Sequence, residues 1–246
     1  IKKLITMKIH NNNAYPDIMV FDDICDENLL DIAYSKIIES GQAVFPFYKK
    51  NEHSDSNPLF QEIKKLVRHV WIDKLSYLLP ETFAGWEVWC NRMSEGGDLN
   101  VHIDCDERSE GWVMPYWGCV IYAGPRGLIK ATKGGELSYN LDLKEEFLNS
   151  KSYTNIDFNK DLNSPIVVPY RYNRIVVFNQ APHMVQKIQK LSNAREPRVG
   201  ISCSVWEHII NPITSDERIS YGYEKKSLKM LQTLQEILEK NKQPDN

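Results

Sequence analysis

A surplus of positive charge is the first feature that this sequence lacks. Its 30 Lys and Arg residues are outnumbered by 33 Asp and Glu residues, which leaves a net charge of −3. Because non-specific nucleic-acid binding needs a basic patch or stripe, we expect no nucleic-acid partner. An apolar run of the roughly 20 residues that span a membrane is also missing, so we expect no membrane partner. The absence of internal repeats and low-complexity tracts excludes a repeat protein.

Cysteine is scarce and shows no pairing pattern. The five cysteines are scattered along the chain, odd in number and without a CxxC pair. Because a disulfide framework needs an even and patterned set, reduced thiols in a cytoplasmic protein are the simplest interpretation. The five residues are Cys25, Cys90, Cys105, Cys119 and Cys203.

The sequence does contain a helical first third. Of its 246 residues, 42% are hydrophobic, which is enough to bury one large core. Asp26 is placed to cap a helix whose apolar residues recur with a 3.6-residue period until Gly41. A second helix is predicted to begin at Asn57-Pro58 and to stop at Pro80. We therefore expect a helical flank over about 1–84.

From Gly85 onward, short runs rich in Val, Ile, Tyr and Trp are separated by turn residues. Eight short strands with turns between them predict a sandwich or jelly roll, with a core over about 85–208. The strands are expected near 86–93, 98–104, 116–123, 134–139, 165–170, 174–179, 182–189 and 198–206.

Two further segments complete the predicted architecture. Residues 141–164 are polar and longer than an ordinary connection, so we expect an insertion there, and a lid is one interpretation. A last helix is predicted over about 217–243 from leucines at helical spacing. It could pack outside the sheet or form a dimer contact, so a monomer and a homodimer both stay open. No linker-like stretch appears, and we interpret 1–246 as a single domain.

His102 and Asp104 are the first candidates for chemistry. Residues i and i+2 of a strand point to the same face, so an imidazole and a carboxylate stand side by side here. His183, which follows the apolar strand at 174–179, supplies a second imidazole. Two histidines and one carboxylate form the facial triad of non-haem Fe(II) oxygenases. Alone, the first pair would equally suit a surface hydrogen bond, and His183 a core position.

Arg198 is the second candidate. It begins an apolar strand, where a guanidinium needs an anion, and its planar fork suits a carboxylate. Ser202 would point the same way and add a hydroxyl donor. The alternative is a surface cation near Arg195 and Glu196.

Taken in order, these motifs resemble those of a known family. The set is similar to that of the prolyl-4-hydroxylase-like branch of the 2-oxoglutarate/Fe(II) oxygenase superfamily, over residues 86 to 206. The resemblance implies a mainly β protein with flanking α: a double-stranded β-helix (jelly roll), N-terminal helices packed on its major sheet, and a C-terminal helix. The motifs are His102-x-Asp104, Gly134-Gly135-Glu136-Leu137, Asn173-Arg174-x3-Phe178, His183 and Arg198-x3-Ser202.

The resemblance also implies residue roles. His102, Asp104 and His183 would hold Fe(II). Arg198, with Tyr122 and Ser202 beside it, would bind the distal carboxylate of the cosubstrate 2-oxoglutarate, although Tyr122 would also suit a plain core position. Where many relatives have another tyrosine, this chain reads Trp89-Cys90-Asn91-Arg92. Asn91 or Arg92 is the candidate replacement.

The implied activity is a dioxygenase that uses 2-oxoglutarate and O2 to hydroxylate an unactivated C–H bond, with release of succinate and CO2. The expected substrate is a peptidyl residue, prolyl-like by resemblance, or a free amino acid. Two alternatives stay open: a cupin-like metal protein (isomerase or binding module) without 2-oxoglutarate, and a nucleic-acid demethylase, which the acidic net charge disfavours. Asp106 and Glu107 form either a solvated loop or an acidic rim that attracts a basic substrate.

Overall fold

A computed structural model of the chain describes residues 5–6, 17–40, 48–49, 58–104, 113–126, 134–140, 166–191 and 196–209. The chain forms two compact units, Ile1–Ile210 and Asn211–Asn246. All described residues belong to the first unit. Asp106, Glu107, the 141–164 insertion and the helix expected near 217–243 lie outside the described residues, so the interpretations of these segments stay predictions.

Two helices form the flank. Helix α1 spans Glu27–Ser40 and α2 spans Pro58–Arg68. The Asp26 carboxylate accepts hydrogen bonds from the backbone N–H groups of Asn28 (2.9 Å) and Leu29 (3.1 Å). These bonds satisfy two of the donors that a helix start leaves open, which confirms the predicted cap.

The second helix ends at Arg68, well before the predicted stop at Pro80. A π-helical turn over His69–Lys74 and a 3-10 turn over Ser76–Leu78 continue it. The backbone N–H of Leu75 donates to the carbonyl of Val70 at 2.9 Å, a five-residue step. The apolar period cannot distinguish these turns from a regular helix, because both leave Val70 and Leu75 buried.

Eleven strands lie in the described residues. The last eight, β4 to β11, coincide with the predicted strands. Strands β2 and β3 were not predicted, and β2 escaped the sequence analysis because its first four residues are all buried and show no alternation. The strands are β1 Ile5–Thr6, β2 Ile18–Asp22, β3 Tyr48–Lys49, β4 Gly85–Met93, β5 Leu99–His102, β6 Gly118–Gly124, β7 Leu137–Tyr139, β8 Ile166–Val168, β9 Arg174–Phe178, β10 His183–Val185 and β11 Arg198–Trp206.

These strands form two antiparallel sheets. The large sheet has the order β1-β2-β9-β6-β11-β4-β3, and the small sheet has the order β5-β10-β7-β8. One hydrophobic cluster joins α1 and α2 to one face of the large sheet. A second cluster joins the opposite face of the large sheet to the small sheet. We call that opposite face, which looks toward the small sheet, the inner face.

Strand β11 illustrates the two faces of the large sheet. All nine of its residues are buried. Its apolar residues Val199, Ile201, Cys203 and Val205 belong to the cluster on the helix side. The alternate residues Arg198, Gly200 and Ser202 line a cavity on the inner face. The two-residue period therefore places the residues that pack against the helices on one face and the residues that line the cavity on the other.

The turn before β9 is tied to the N-terminal residues by Asn173. Its φ of 57° is left-handed, a conformation that asparagine tolerates. Its side-chain oxygen accepts from the N–H of Cys25 and its amide nitrogen donates to the carbonyl of Cys25, both at 3.1 Å. Its own N–H donates to the carbonyl of Tyr122 at 3.0 Å. Asn173, part of the motif quoted above, thus holds β6 and the end of β2 in place.

No helix among the described residues is both long and apolar enough to cross a membrane. Four of the five cysteines are described; all four are buried, and none of these four is in a disulfide. The fifth, Cys105, lies outside the described part of the chain.

Candidate metal centre

Two neighbouring strands of the small sheet bring His102 and His183 together. Strands β5 and β10 are antiparallel, and the two histidines are direct partners in their register. Their ring centroids are 4.2 Å apart. Asp104 lies two residues past the end of β5, and Ile103 between them is buried, as the alternation predicts.

The three side chains aim their donor atoms at one another. Nε2 of His102 lies 3.7 Å from Oδ1 of Asp104, and Nε2 of His183 lies 4.0 Å from Oδ2 of Asp104. One donor atom from each residue lies within 4.8 Å of the other two, and no other such group of three occurs in the described residues. Ligand atoms that are each about 2.1 Å from one ion are themselves about 3–4 Å apart. The spacing therefore suits a single metal ion.

His183 is held in the protonation state that a metal ligand needs. Its Nδ1 lies 3.0 Å from the carbonyl oxygen of Ala181, so Nδ1–H donates there and leaves the lone pair of Nε2 on the Asp104 side. Burial, together with the neighbouring His102, lowers the pKa of His183 well below its usual range. The imidazole is thus neutral near pH 7 and can bind a cation without first losing a proton.

Arg198 lines the same cavity as the metal cluster. Residues of both sheets line this cavity, and Tyr122 is among them. Arg198 is 3% exposed, and its Nε and Nη1 atoms meet no hydrogen-bond partner in the described part of the chain. A buried guanidinium without an anion is costly. The part of the cavity around Arg198 therefore has the chemistry of an anion site.

Two tyrosines hold the guanidinium of Arg198. Its central carbon lies 4.9 Å from the ring centroid of Tyr122 and 4.8 Å from that of Tyr170, within the range of cation–π attraction. The Tyr170 hydroxyl donates to the carbonyl of Gly124. The Tyr122 hydroxyl is buried and meets no partner among the described residues. Burial raises the pKa of Tyr122, and Arg198 opposes this only in part, so the hydroxyl keeps its proton and can donate.

The Gly134-Gly135 turn passes close to the same guanidinium. Both glycines have left-handed φ angles, 85° and 81°. A Cβ on Gly135 would lie 2.9 Å from Nη1 of Arg198, and a Cβ on Gly134 would lie 2.0 Å from the carbonyl oxygen of Lys187. Only residues without a side chain fit at these two positions. The two glycines therefore allow the backbone to pack directly against the guanidinium of Arg198.

The remaining predicted site residues divide into two groups. Asn91 and Ser202 line the cavity, and the Asn91 amide donates to the Ser202 hydroxyl at 3.3 Å. Arg92 is exposed, and its guanidinium donates to the carbonyl of Ile38 at 3.4 Å. Because adjacent residues of a strand point to opposite faces, Asn91 reaches the cavity and Arg92 does not. Arg92 is thus not brought to the site.

Sequence analysis missed two members of the site. Tyr170 follows β8 in a Pro-Tyr turn, and nothing in that local pattern points to Arg198. Phe178 is part of a quoted motif, but its role emerges only in three dimensions, where its ring centroid lies 4.9 Å from that of His183. Both contacts join residues of different strands, so no local spacing could reveal them.

Fe(II) and 2-oxoglutarate both fit these residues. Two imidazoles and one carboxylate are the donor set that suits a non-haem iron with open positions. The unpartnered guanidinium atoms of Arg198 and the Tyr122 hydroxyl are donors that suit a carboxylate. The two donor sets share one cavity, so a small dicarboxylate could reach both.

Comparison with known proteins identifies relatives by structure only. The sequence matches no known family profile and no curated protein. A prolyl-4-hydroxylase from Pseudomonas putida is similar at a TM-score of 0.48 and 12% identity, over 78% of this chain and 89% of that one. A prolyl hydroxylase from Trichoplax adhaerens, solved with a hypoxia inducible factor oxygen degradation domain peptide fragment, is similar at a TM-score of 0.47 and 13% identity, over 78% and 84%. The viral collagen prolyl hydroxylase of Paramecium Bursaria Chlorella virus-1 is similar at 0.44 and 12%, over 77% and 95%.

Proposed function

We propose that this chain is an Fe(II)- and 2-oxoglutarate-dependent dioxygenase that hydroxylates an unactivated C–H bond of a peptidyl or free amino-acid substrate. The observation that supports this most is a buried arginine without an anion in the same cavity as a two-histidine, one-carboxylate cluster. A metal protein that does not use an anionic cosubstrate gives no reason for Arg198 to be buried there. The alternative of a cupin-like isomerase or binding module therefore leaves Arg198 unexplained.

We further propose that the two sheets form a double-stranded β-helix. Supporting this is the order of the last eight strands, because β4, β6, β9 and β11 belong to the large sheet and β5, β7, β8 and β10 to the small one. Such a chain winds back and forth between two sheets and places its interior side chains in the space between them. That space contains the candidate metal centre.

Each site residue then has a role that its surroundings support. His102, Asp104 and His183 would hold Fe(II), with His183 kept neutral and oriented by Ala181. Arg198 and Tyr122 would bind the distal carboxylate of 2-oxoglutarate, and the stacked tyrosines would keep the guanidinium in place. Ser202, paired with Asn91, would add a hydroxyl near that carboxylate. When bound, the metal and cosubstrate supply the oxidation, with release of succinate and CO2, while the protein orients the reactants and excludes water.

The proposal is tested by a binding experiment that needs no substrate. Under anaerobic conditions, Fe(II) and then 2-oxoglutarate are added to the metal-free protein while the visible spectrum is recorded. We expect a weak charge-transfer band that requires both additions. His183→Ala should abolish the band, because one metal ligand is lost.

Arg198→Met separates the proposal from the cupin-like alternative. Loss of one partner of a desolvated charge pair should cost roughly 2–5 kcal/mol, so the variant should need at least about 30-fold more 2-oxoglutarate for the same band. Iron binding itself should be unchanged, which serves as the control. If iron binds to the wild-type protein and no band forms at any 2-oxoglutarate concentration, the oxygenase proposal is wrong.

A further inference from the structure

Gln180 is a buried side chain whose polar atoms lack partners. The residue is 1% exposed, and neither Oε1 nor Nε2 meets a hydrogen-bond partner in the described part of the chain. A rotation of the carboxamide by 180° exchanges the positions of Oε1 and Nε2, and both positions lack a partner. A buried carboxamide in this state is costly, and a ligand that supplies the missing partners would remove that cost.

The Gln180 amide lies on the inner face of the large sheet, next to the metal centre. Its Nε2 would be 2.8 Å from a Cβ placed on Gly118, and the ring of Phe178 would be 2.3 Å from the same point. Phe178 in turn packs against His183, with 4.9 Å between ring centroids. Gln180, Gly118 and Phe178 therefore form one contiguous group beside a candidate metal ligand.

Ser204 adds a second unpartnered group at the same level of the sheet. The register that pairs Ser202 with Val120 and Val205 with Trp117 places Ser204 opposite Gly118. Ser204 is 0% exposed, and its hydroxyl meets no partner among the described residues. Being two residues past Ser202, it faces the same side of the sheet, farther along β11 from Arg198. Unpartnered groups thus occur on the inner face both at Arg198 and at the level of Phe178, which contacts His183.

We infer that Gln180, assisted by Ser204, binds a backbone amide group of an extended peptide substrate beside the metal. This rests on the proposed function and narrows its substrate class from a peptidyl residue or free amino acid to a peptide. A carboxamide offers one acceptor and two donors. An extended peptide turns the N–H and C=O of one residue to the same side, where a glutamine can accept from one and donate to the other.

The charges at this level of the sheet disfavour a ligand carboxylate. The residues that share it are Glu87, Ser204, Gly118 and Phe178, which include one anion and no cation. A free amino acid would bring an ionised carboxylate, which calls for a positively charged partner or several N–H donors. A peptide bond carries no charge, so a neutral carboxamide and a hydroxyl are sufficient partners for it.

The test uses two matched probes and the 246-residue chain, loaded anaerobically with Fe(II) and 2-oxoglutarate. The first probe is N-acetyl-L-prolylglycine N-methylamide. The second is its depsipeptide, in which an ester oxygen replaces the N–H between proline and glycine. Dissociation constants are measured by calorimetry for the wild type and for Gln180→Met. We expect the wild type to bind the peptide about tenfold more tightly than the depsipeptide, and Gln180→Met to bind both about equally.

Thermal unfolding without any ligand supplies a second readout, with Gln186→Met as the matched control. The amide of Gln186 donates to the Ser138 hydroxyl at 2.8 Å, so its loss should lower the melting temperature. Gln180→Met should raise the melting temperature, because methionine fills a similar volume without unsatisfied polar atoms. A structural role for Gln180 predicts a fall in both variants.

The outcomes separate this inference from the function on which it rests. If the wild type gives no charge-transfer band with Fe(II) and 2-oxoglutarate, the proposed function is wrong. If the band forms but the wild type fails to distinguish the peptide from the depsipeptide, or binds neither probe, the role of Gln180 is wrong and the oxygenase proposal stands. Persistence of the distinction in Gln180→Met would also overturn the inference.

Discussion

At the scale of single residues, two arginines of the large sheet differ in what satisfies them. Arg174 donates to the Asp22 carboxylate from Nε at 2.7 Å and from Nη2 at 2.9 Å. Arg198 is more deeply buried than Arg174, and it has aromatic rings in place of a carboxylate. One arginine thus has a carboxylate partner within the fold, and the other keeps donors available for the proposed cosubstrate.

The contrast predicts opposite consequences for stability. Arg174→Met should lower the free energy of unfolding by about 2 kcal/mol, because charge-assisted hydrogen bonds are lost and Asp22 keeps its negative charge. Arg198→Met should leave the ligand-free protein at least as stable as the wild type, within about 1 kcal/mol, because a costly buried charge is removed. Urea unfolding at pH 7 measures both. Equal destabilisation by the two substitutions would mean that Arg198 is structural.

Asp22 makes stability depend on pH in a definite direction. The hydrogen bond from Arg174 lowers its pKa, with Arg171 adding to the effect and burial opposing it. Because the folded pKa is depressed, this stabilisation is fully present above the unfolded pKa of about 3.9 and is lost as pH falls through the folded value. Asp22→Asn should therefore cost about 1 kcal/mol at pH 7 and progressively less below pH 4.

Asp23→Asn is the matched control for that pH series. Asp23 also pairs with an arginine, Arg171, at 2.7 Å, but its side chain is 61% exposed. An exposed ion pair contributes little, so this substitution should change stability by less than about 0.5 kcal/mol. A difference between Asp22→Asn and the wild type that stays constant from pH 7 to pH 2 would contradict the assignment.

At the scale of elements, the Gly134-Gly135 turn lies against the guanidinium of Arg198, the proposed partner of 2-oxoglutarate. Gly135→Ala should strain a left-handed residue, costing about 1–2 kcal/mol of stability, and should also displace the guanidinium of Arg198. We expect about tenfold weaker 2-oxoglutarate binding, read from the charge-transfer titration. Gly96→Ala is the control, since φ at Gly96 is 83° and a Cβ there would meet nothing within 4 Å.

The two alanine variants should therefore share the loss of stability but not the loss of affinity. If Gly96→Ala weakens 2-oxoglutarate binding as much as Gly135→Ala does, the effect is one of general strain and the close approach to Arg198 is irrelevant.

Elements with a strong local pattern were predictable from the sequence, and the others were not. The eight strands β4 to β11 were found because turn residues bound them and β-branched and aromatic residues fill them. The Asp26 cap was found because capping is local. Strand β2 was missed because burial on both faces removes the alternation, and the π-helical turn after Arg68 was missed because it keeps the apolar stripe. Both features depend on packing between residues that are distant in the sequence.

At the scale of the whole molecule, ligand binding should report on the integrity of the site. Mn(II) and 2-oxoglutarate, each at about 100 times its dissociation constant, should together stabilise the fold by at least about 2.7 kcal/mol, and raise the melting temperature by roughly 5–10 °C. His183→Ala should show almost none of this rise, because the metal loses a ligand. Differential scanning fluorimetry is sufficient for the measurement. Equal rises in both proteins would place the ion elsewhere.

The polar residues of the candidate site were easier to predict from the sequence than the aromatic residues that pack around them. His102, Asp104, His183, Arg198, Tyr122 and Ser202 were singled out because their residue types recur in a recognisable order, and all six line one cavity. The contacts of Tyr170 with Arg198 and of Phe178 with His183 were not predicted, since each joins residues of different strands. Asn91 and Arg92 could not be separated until the register of β4 fixed which of the two faces inward.

The alternation along β11 bears on how this protein could acquire new specificities. Val199, Ile201, Cys203 and Val205 hold the helices, whereas Ser204 and its neighbours on the other face contact only the interior between the sheets. Substitutions at the alternate positions Gly200, Ser202 and Ser204 leave the contacts between β11 and the helices untouched. Selection could therefore change the lining of the space between the sheets, one alternate position at a time, while the helices keep their packing on β11.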